Sequence, residues 1–297
     1  MEYKKTVLKR DLLIRDIISV HYFEYAVDFA FSGELHDFWE IVYADKNELV
    51  LTADAREFVL PQGKMYLHKP MEFHNVRGNG HNAPNSVIVS FSSDSPALYE
   101  IAGKFLSPQG RELDLLGGII EEAKQAFSSP LGDPYTEELI RSETAPFGAE
   151  QLILSYLEEI CIALIRRERE SGTAQPAEPS RKHRKDEARL REICLFLQEN
   201  IEKDLTSADI LKEFFISESS LQKLFQSKVG CGAMQYFQRK KIDRAKEMIR
   251  EKKLNFSEIS EKLGFSSIHY FSRRFKVITG MTPSEYAASV KSLSRSD

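Results

Sequence analysis

The chain has 297 residues, 42% of them hydrophobic and 29% charged, with a formal net charge of −4. That length carries about two domains, and the apolar share supports a packed core and excludes bulk disorder. No apolar run approaches the ~18 residues of a membrane span, and Met1–Arg10 lacks the apolar stretch of a signal peptide. Cys161, Cys194 and Cys231 are odd in number and scattered, which argues against a disulfide framework or a cysteine zinc site and fits a reducing cytoplasm.

From Arg181 to the end there are 24 Lys+Arg against 16 Asp+Glu, a net of +8, which leaves −12 for the residues before it. One half attracts polyanions and the other repels them, so the halves have separate jobs. In chain order, short runs rich in β-branched and aromatic residues predict strands at Ile17–Tyr25, Phe38–Tyr43, Glu48–Thr52, Glu57–Leu60, Met65–His68 and Ser86–Phe91. Asp45-Lys-Asn47, Pro61-Gln-Gly63 and Gly78-Asn-Gly80 punctuate them, and the regular spacing suggests an antiparallel barrel or sandwich. From about Glu112 the period turns helical, first through Leu115, Leu116, Ile119, Ile120, Ala123 and Phe127. A second helix carries Ile153, Leu157, Ile160 and Leu164 in a stripe that fits either its own barrel or a dimer seam. Ser171–Ser180 is small, polar and proline-bearing, and the basic run Arg181–Lys185 continues it as a connector, either a solvated linker end or a DNA-contacting arm.

Beyond the connector the sequence repeats itself. Leu221, Phe225, Gly230 and Tyr236 recur as Phe271, Phe275, Gly280 and Tyr286, fifty positions on. Each copy opens with a helix-start pattern, Thr206-Ser-Ala-Asp209 and Asn255-Phe-Ser-Glu258, in which a capping side chain precedes an acid by three residues. A short helix, a turn and a second helix follow, the second opening at Ser217 in copy one and at Ser266 or Ser267 in copy two. This is a helix-turn-helix, whose second helix enters a major groove of DNA. With Leu221, Leu224, Phe225, Phe271 and Phe275 facing inward, Ser219, Gln222, Lys223 and Gln226 face outward in copy one. His269, Ser272, Arg273 and Lys276 do so in copy two. Gln pairs with adenine and Arg with guanine on base edges, while Lys223, Arg274 and Lys276 equally suit phosphates. The intervening helix, Ala233–Lys253, spans roughly 30 Å, close to the ~34 Å between successive major grooves.

The run Gly264-Phe-Ser-Ser-Ile-His-Tyr-Phe-Ser-Arg-Arg-Phe-Lys276, followed by Gly280-Met-Thr-Pro-Ser-Glu-Tyr286, resembles the signature of the AraC/XylS family of bacterial transcription regulators. The resemblance covers roughly Glu187–Ser289. It implies that Ser219, Gln222 and Lys223, then His269, Ser272 and Arg273, read bases. Copy one departs where Phe215 replaces the usual turn glycine and Leu211 the usual alanine; a bulky residue is disfavoured at a turn favouring positive φ. The resemblance also implies a cupin-like N-terminal barrel that binds a small molecule or dimerises. Glu34-x-His36-x-x-x-Glu40 and Pro70-Met-Glu-Phe-His74 look like cupin motifs, at positions where cupin enzymes hold zinc, iron or manganese. The reading adopted from sequence is a pocket without metal or cofactor, lined by His36, Phe38, Glu40, Tyr43 and His74. Trp39 and Tyr66 are further candidates for its wall.

The expected protein is therefore α+β and multidomain. Residues 1–170 form an antiparallel cupin-like β-barrel with trailing helices, 171–185 a linker, and 186–297 an all-α domain with two helix-turn-helix units. It is expected to be a cytoplasmic, homodimeric, sequence-specific regulator rather than an enzyme. Its partners are double-stranded DNA at two adjacent major grooves, a small-molecule effector (a sugar or small acid) and the transcription machinery, with no membrane. No phosphate loop, GxSxG elbow or HExxH pair is present.

Overall fold

The computed structural model describes residues 3–31, 33–133, 138–172 and 181–293; residues 173–180 of the expected connector lie outside these. The N-terminal half contains β1 (Asp16–Glu24), β2 (Trp39–Lys46), β3 (Leu49–Ala53), β4 (Arg56–Leu60), β5 (Met65–His68), β6 (His74–Arg77), β7 (Asn85–Ser92) and β8 (Phe105–Leu106). All six expected strands are present within a few residues; β6 and β8 are additional. The strands do not close into a single barrel. They form an antiparallel five-stranded sheet in the order β1-β7-β2-β5-β8 and a three-stranded sheet, β4-β3-β6.

Alternation along the strands explains how the two sheets bury both faces. On β2, Trp39, Ile41 and Tyr43 pack against helices α1 (Arg111–Ala126) and α2 (Ala149–Glu170), in a core that includes Leu67, Val89 and Phe91. Val42 and Ala44 point the other way, into a second core with Leu49, Leu51, Leu60 and Val76 from the smaller sheet. The molecule's first half is thus a sandwich with helices on its outer face. Ile153, Leu157, Ile160 and Leu164 of α2 are all buried in the first core. Of the two readings of that stripe, internal packing is the one realised.

The C-terminal half is helical: α3 (Arg181–Glu199), α4 (Ser207–Glu213), α5 (Glu218–Lys228), α6 (Ala233–Glu251), α7 (Phe256–Lys262), α8 (Ile268–Thr279) and α9 (Pro283–Leu293). The basic run Arg181–Lys185, read as connector, forms the start of α3. The helix starts follow the local chemistry anticipated for them. Asn255 Oδ1 accepts from the Ser257 and Glu258 amides at 3.0 Å each, and the Glu258 carboxylate accepts from the Asn255 amide at 2.7 Å. In copy one Asp209 accepts from the Thr206 amide at 2.8 Å, and α8 opens on Ser267. Phe215 sits in the α4–α5 turn with φ +48° and its ring 93% exposed, so the departure from glycine leaves a strained, left-handed phenylalanine.

Helix α6 belongs to both copies. Ala233, Tyr236 and Phe237 complete the core of the first, with Leu221, Leu224 and Phe225, whereas Ile242, Ala245, Met248 and Ile249 complete the second, with Phe271 and Phe275. Where the cores meet, Lys241 is 1% exposed. Its ammonium donates to the Lys203 carbonyl at 2.6 Å and to the Leu263 carbonyl at 2.7 Å, tying the loop before α4 to the end of α7. The rings of Phe237 and Phe265 lie 4.8 and 5.4 Å from that nitrogen. Gly264 completes the joint: at φ +61°, a Cβ there would stand 2.8 Å from the Glu202 carbonyl oxygen. The two units are bolted together rather than strung on a flexible tether.

The sandwich and the helical half also pack on one another. Leu35, Met71 and Phe73 enter the core built by α3 to α6, Arg191 pairs with Asp37, and Arg250 lies 3.8 Å from Asp133. Among the described residues no helix is long and apolar enough to cross a membrane, and Cys161, Cys194 and Cys231 are free and buried.

Candidate functional site

On α5, Ser219, Gln222, Lys223 and Gln226 are exposed, opposite the buried Leu221, Leu224 and Phe225. On α8, His269, Arg273 and Lys276 are exposed and Ser272 is half-buried, opposite Phe271 and Phe275. Amphipathic spacing produces both faces: the apolar residues recur at three and four and leave the polar ones on the far side. Neither face is covered by the sandwich.

A second candidate lies between the two sheets. A cavity of about 500 Å³ is walled by His21 and Phe23 from β1, Tyr25 just beyond it, Glu40 and Val42 from β2, His68 from β5, His74 and Val76 from β6, and Ile88 and Ser90 from β7. His36 and Phe38 reach it from the segment before β2, and Phe29 and Phe31 make its aromatic end. Of the pocket residues expected from sequence, His36, Phe38, Glu40 and His74 come together here. Tyr43 does not. It shares a face with Trp39 and Ile41, and period two turns all three toward the helices. Tyr66 is buried between the sheets outside the cavity wall.

The polar end of the cavity is a network of buried acids and imidazoles. His74 Nε2 stands 3.3 Å from Glu40 Oε1 and 3.6 Å from Glu34 Oε1, and His36 Nε2 stands 3.7 Å from Glu40 Oε2. Burial alone would push His74 down, but the Glu40 charge and the contacts with Glu34 and Glu40 outweigh it and hold the imidazole well above its ordinary range. Burial pushes Glu40 up, and the His74 charge with the His36 and His74 contacts carries it well below the ordinary carboxylate range. Next to them His68 Nδ1 meets Glu72 Oε2 at 2.8 Å; burial, then the His74 charge, keeps His68 low. Ser90 Oγ donates to Glu40 Oε2 at 3.0 Å and fixes that carboxylate.

Glu34, His36, Glu40 and His74 each offer one ligand atom within 4.8 Å of the others, a set that fits a divalent ion. Both His36 Nε2 and His74 Nε2 are buried without a hydrogen bond, and Glu40 and Glu34 supply the anionic oxygens such an ion needs. Sequence reasoning missed the part of the cavity wall that the helical half supplies. Gln198 from α3 and Lys240, Asp243 and Glu247 from α6 also line it, so the helix shared by both helix-turn-helix units forms part of the pocket. Nothing local in the sequence marks those four, because only the docking of the two halves brings them there.

Comparison with known proteins concerns the helical half most. A family model described as a helix-turn-helix domain matches residues 210–289. The uncharacterized HTH-type transcriptional regulator YfiF of Bacillus subtilis is 25% identical over 256 residues, which are 84% of this chain and 76% of that one. The arabinose operon regulatory protein of Escherichia coli is 28% identical over 101 residues, 34% of this chain and 35% of its own length. Among solved structures, ToxT from Vibrio cholerae with an unsaturated fatty acid bound covers 93% of this chain and 94% of its own, with a TM-score of 0.51 and 15% identity. At that identity the likeness concerns the fold alone.

Proposed function

Since the chain belongs to the AraC/XylS family of transcription regulators, we propose that it binds specific DNA by laying α5 and α8 into two adjacent major grooves. In this reading Gln222 and Gln226 on α5 and His269, Ser272 and Arg273 on α8 contact base edges. Ser219 joins them, while Lys223 and Lys276 serve phosphates or bases. The observation that supports it is the joint at Lys241 and Gly264, which locks the units carrying α5 and α8, each with an exposed polar face, onto the two ends of α6. Nineteen residues of α6 span ~28 Å, of the order of one turn of duplex.

The sandwich is the cupin-like sensor of this cytoplasmic regulator, and a small molecule held between its sheets is the effector. The aromatic end at Phe29 and Phe31 and the charged end at His36, Glu40 and His74 suit a ligand with an apolar body and a polar group. The unsaturated fatty acid bound to ToxT is a ligand of that description. An effector there touches Lys240, Asp243 and Glu247 of α6 as well as the sheets. Contact with both halves gives it a means to favour one domain arrangement over another, which a switch requires. A homodimer, expected from the family, has to use a surface other than the α2 stripe, which its own core consumes.

Gel shifts on DNA flanking the gene, with competitor DNA and a salt series, test this reading. Specific DNA should survive a ~1,000-fold excess of unrelated competitor, and log affinity should fall linearly with log salt. Equal binding to all sequences would defeat it.

A further inference from the structure

Two imidazole nitrogens facing the acid cluster are buried without a hydrogen bond. His36 Nδ1 lies 3.1 Å from the Phe38 carbonyl oxygen and His74 Nδ1 2.9 Å from that of Glu72. A carbonyl can only accept, so each ring carries its hydrogen on Nδ1. Each Nε2 then turns into the cluster, and neither has a hydrogen-bond partner. In neutral rings these are lone pairs aimed at carboxylate oxygens, buried away from water, an arrangement that costs free energy unless a cation stands between them. A proton on His74 relieves one ring, yet its N–H is aligned with neither carboxylate, and His36 stays as it was.

The spacings suit a small divalent cation. The three N···O distances are 3.3, 3.6 and 3.7 Å, longer than hydrogen bonds. Two ligands ~2.1 Å from a tetrahedral metal stand about 3.4 Å apart. We infer that Glu34, His36, Glu40 and His74 bind one divalent first-row transition-metal ion, and that its occupancy is relayed to the first helix-turn-helix unit through Leu35 and Phe73. Two carboxylates neutralise the ion's charge, and a set of two nitrogens and two oxygens without thiolate suits zinc, iron(II) or manganese. Ser90 on Glu40 and the backbone carbonyls on both Nδ1 atoms are the outer contacts that orient metal ligands.

The relay follows from chain parity. Leu35 lies between ligands Glu34 and His36, and Phe73 precedes ligand His74. With the ligands pointing into the cavity, both neighbours reach the core of α3 to α6, and Leu35 also borders the cavity. The two ligand segments are zipped together by Glu34 and His74, whose amides and carbonyls exchange bonds of 2.8 and 3.0 Å. Drawing the ligands onto an ion therefore sets the ledge on which the first reading unit sits. The metal site stands on this geometry alone. Its influence on DNA binding, beside that of the organic effector, rests on the regulator reading above.

Full-length protein, stripped with chelator and free of DNA, is titrated with Zn²⁺, Mn²⁺ and, anaerobically, Fe²⁺, with Co²⁺ as the spectroscopic probe. One equivalent per chain and a Co²⁺ d–d band are expected. His36→Gln, Glu40→Gln and His74→Ala should each weaken binding roughly 10-fold or more. Should one of these fail to fold, the wild-type melting temperature must still climb steadily with metal concentration. Leu35→Ala should keep the stoichiometry and lose the metal-dependent change in DNA affinity. Substoichiometric metal, binding indifferent to all three ligand variants, or a Leu35→Ala protein that responds normally would overturn the inference. Specific DNA binding that answers to an organic molecule, with no metal taken up, would sink the metal and leave the regulator standing. Stoichiometric metal on a protein with no DNA sequence preference would sink the regulator and leave the site.

Discussion

Replacing Lys241 with methionine removes the ammonium and keeps most of the stem against Phe237 and Phe265. Two charge-assisted bonds, of 2.6 and 2.7 Å, are lost, and the Lys203 and Leu263 carbonyls are left facing a thioether. A hydrogen bond to a charged group contributes about 1.5–3 kcal/mol, and a stranded carbonyl costs about 1–3 kcal/mol. The desolvation of the ammonium offsets part of this, since burial holds that group below the ordinary lysine range. The net loss should be ~3 kcal/mol, or roughly 6–12 °C if the whole chain melts as one unit. Calorimetry reads the stability, and footprinting reads the joint: protection should persist over one groove and fade over the neighbouring one. Lys241→Arg, which can still reach a carbonyl, should recover part of both. A Lys241→Met protein that melts within ~2 °C of wild type and protects both grooves would refute the reasoning.

Three further outcomes follow from single side chains. Burial pushes the Asp54 carboxyl up to about 6, so the folded chain holds that proton more tightly than the unfolded chain. Stability should then decline as pH rises from ~4 through 6. Asp54→Asn should flatten this slope and add ~1–2 kcal/mol at pH 7, less than full burial would give because Asp54 is partly exposed; melting temperatures across pH would show it, and a parallel pair of curves would contradict it. Phe215→Gly should raise the denaturant midpoint: relieving left-handed strain gains ~1–2 kcal/mol and glycine's backbone entropy returns ~0.5–1 kcal/mol. A lower midpoint would mean the exposed ring has a contact worth more than its strain. Arg273→Ala should weaken specific DNA binding by about 1–3 kcal/mol and relax preference at one base pair, whereas an equal loss on every sequence would reassign Arg273 to phosphate.

What could be read from the sequence was mostly what is local. Cap chemistry located α4, α7 and α8 because Asn255 and Ser267 accept from amides two or three residues on, and Asp209 accepts from Thr206 three residues back. Strands β1, β2, β3, β4, β5 and β7 were legible because β-branched and aromatic residues cluster in them. Strand β6 was not, since His74-Asn-Val-Arg77 is short and mostly polar, and its place depends on pairing with β3. Closure of the sheets was likewise unreadable, because alternation gives each strand's faces but not which edges bond. Tyr43 shows the opposite failure. Its parity with Trp39 was available in the sequence and placed it outside the pocket all along. Lys241 carried no signal: on an amphipathic helix a lysine reads as solvated, and only the meeting of two cores buries it. The same non-locality hid Lys240, Asp243 and Glu247 from any reading of the cavity.

Hydroxyl-radical footprinting of the full-length protein on DNA upstream of its own gene bears most directly on the paired reading helices. Two protected major-groove segments on one face of the duplex, centred about 10–10.5 base pairs apart, are expected, with changes on α5 and α8 each erasing one segment. A single protected segment, or protection scattered without sequence preference, would contradict simultaneous reading by the two helices.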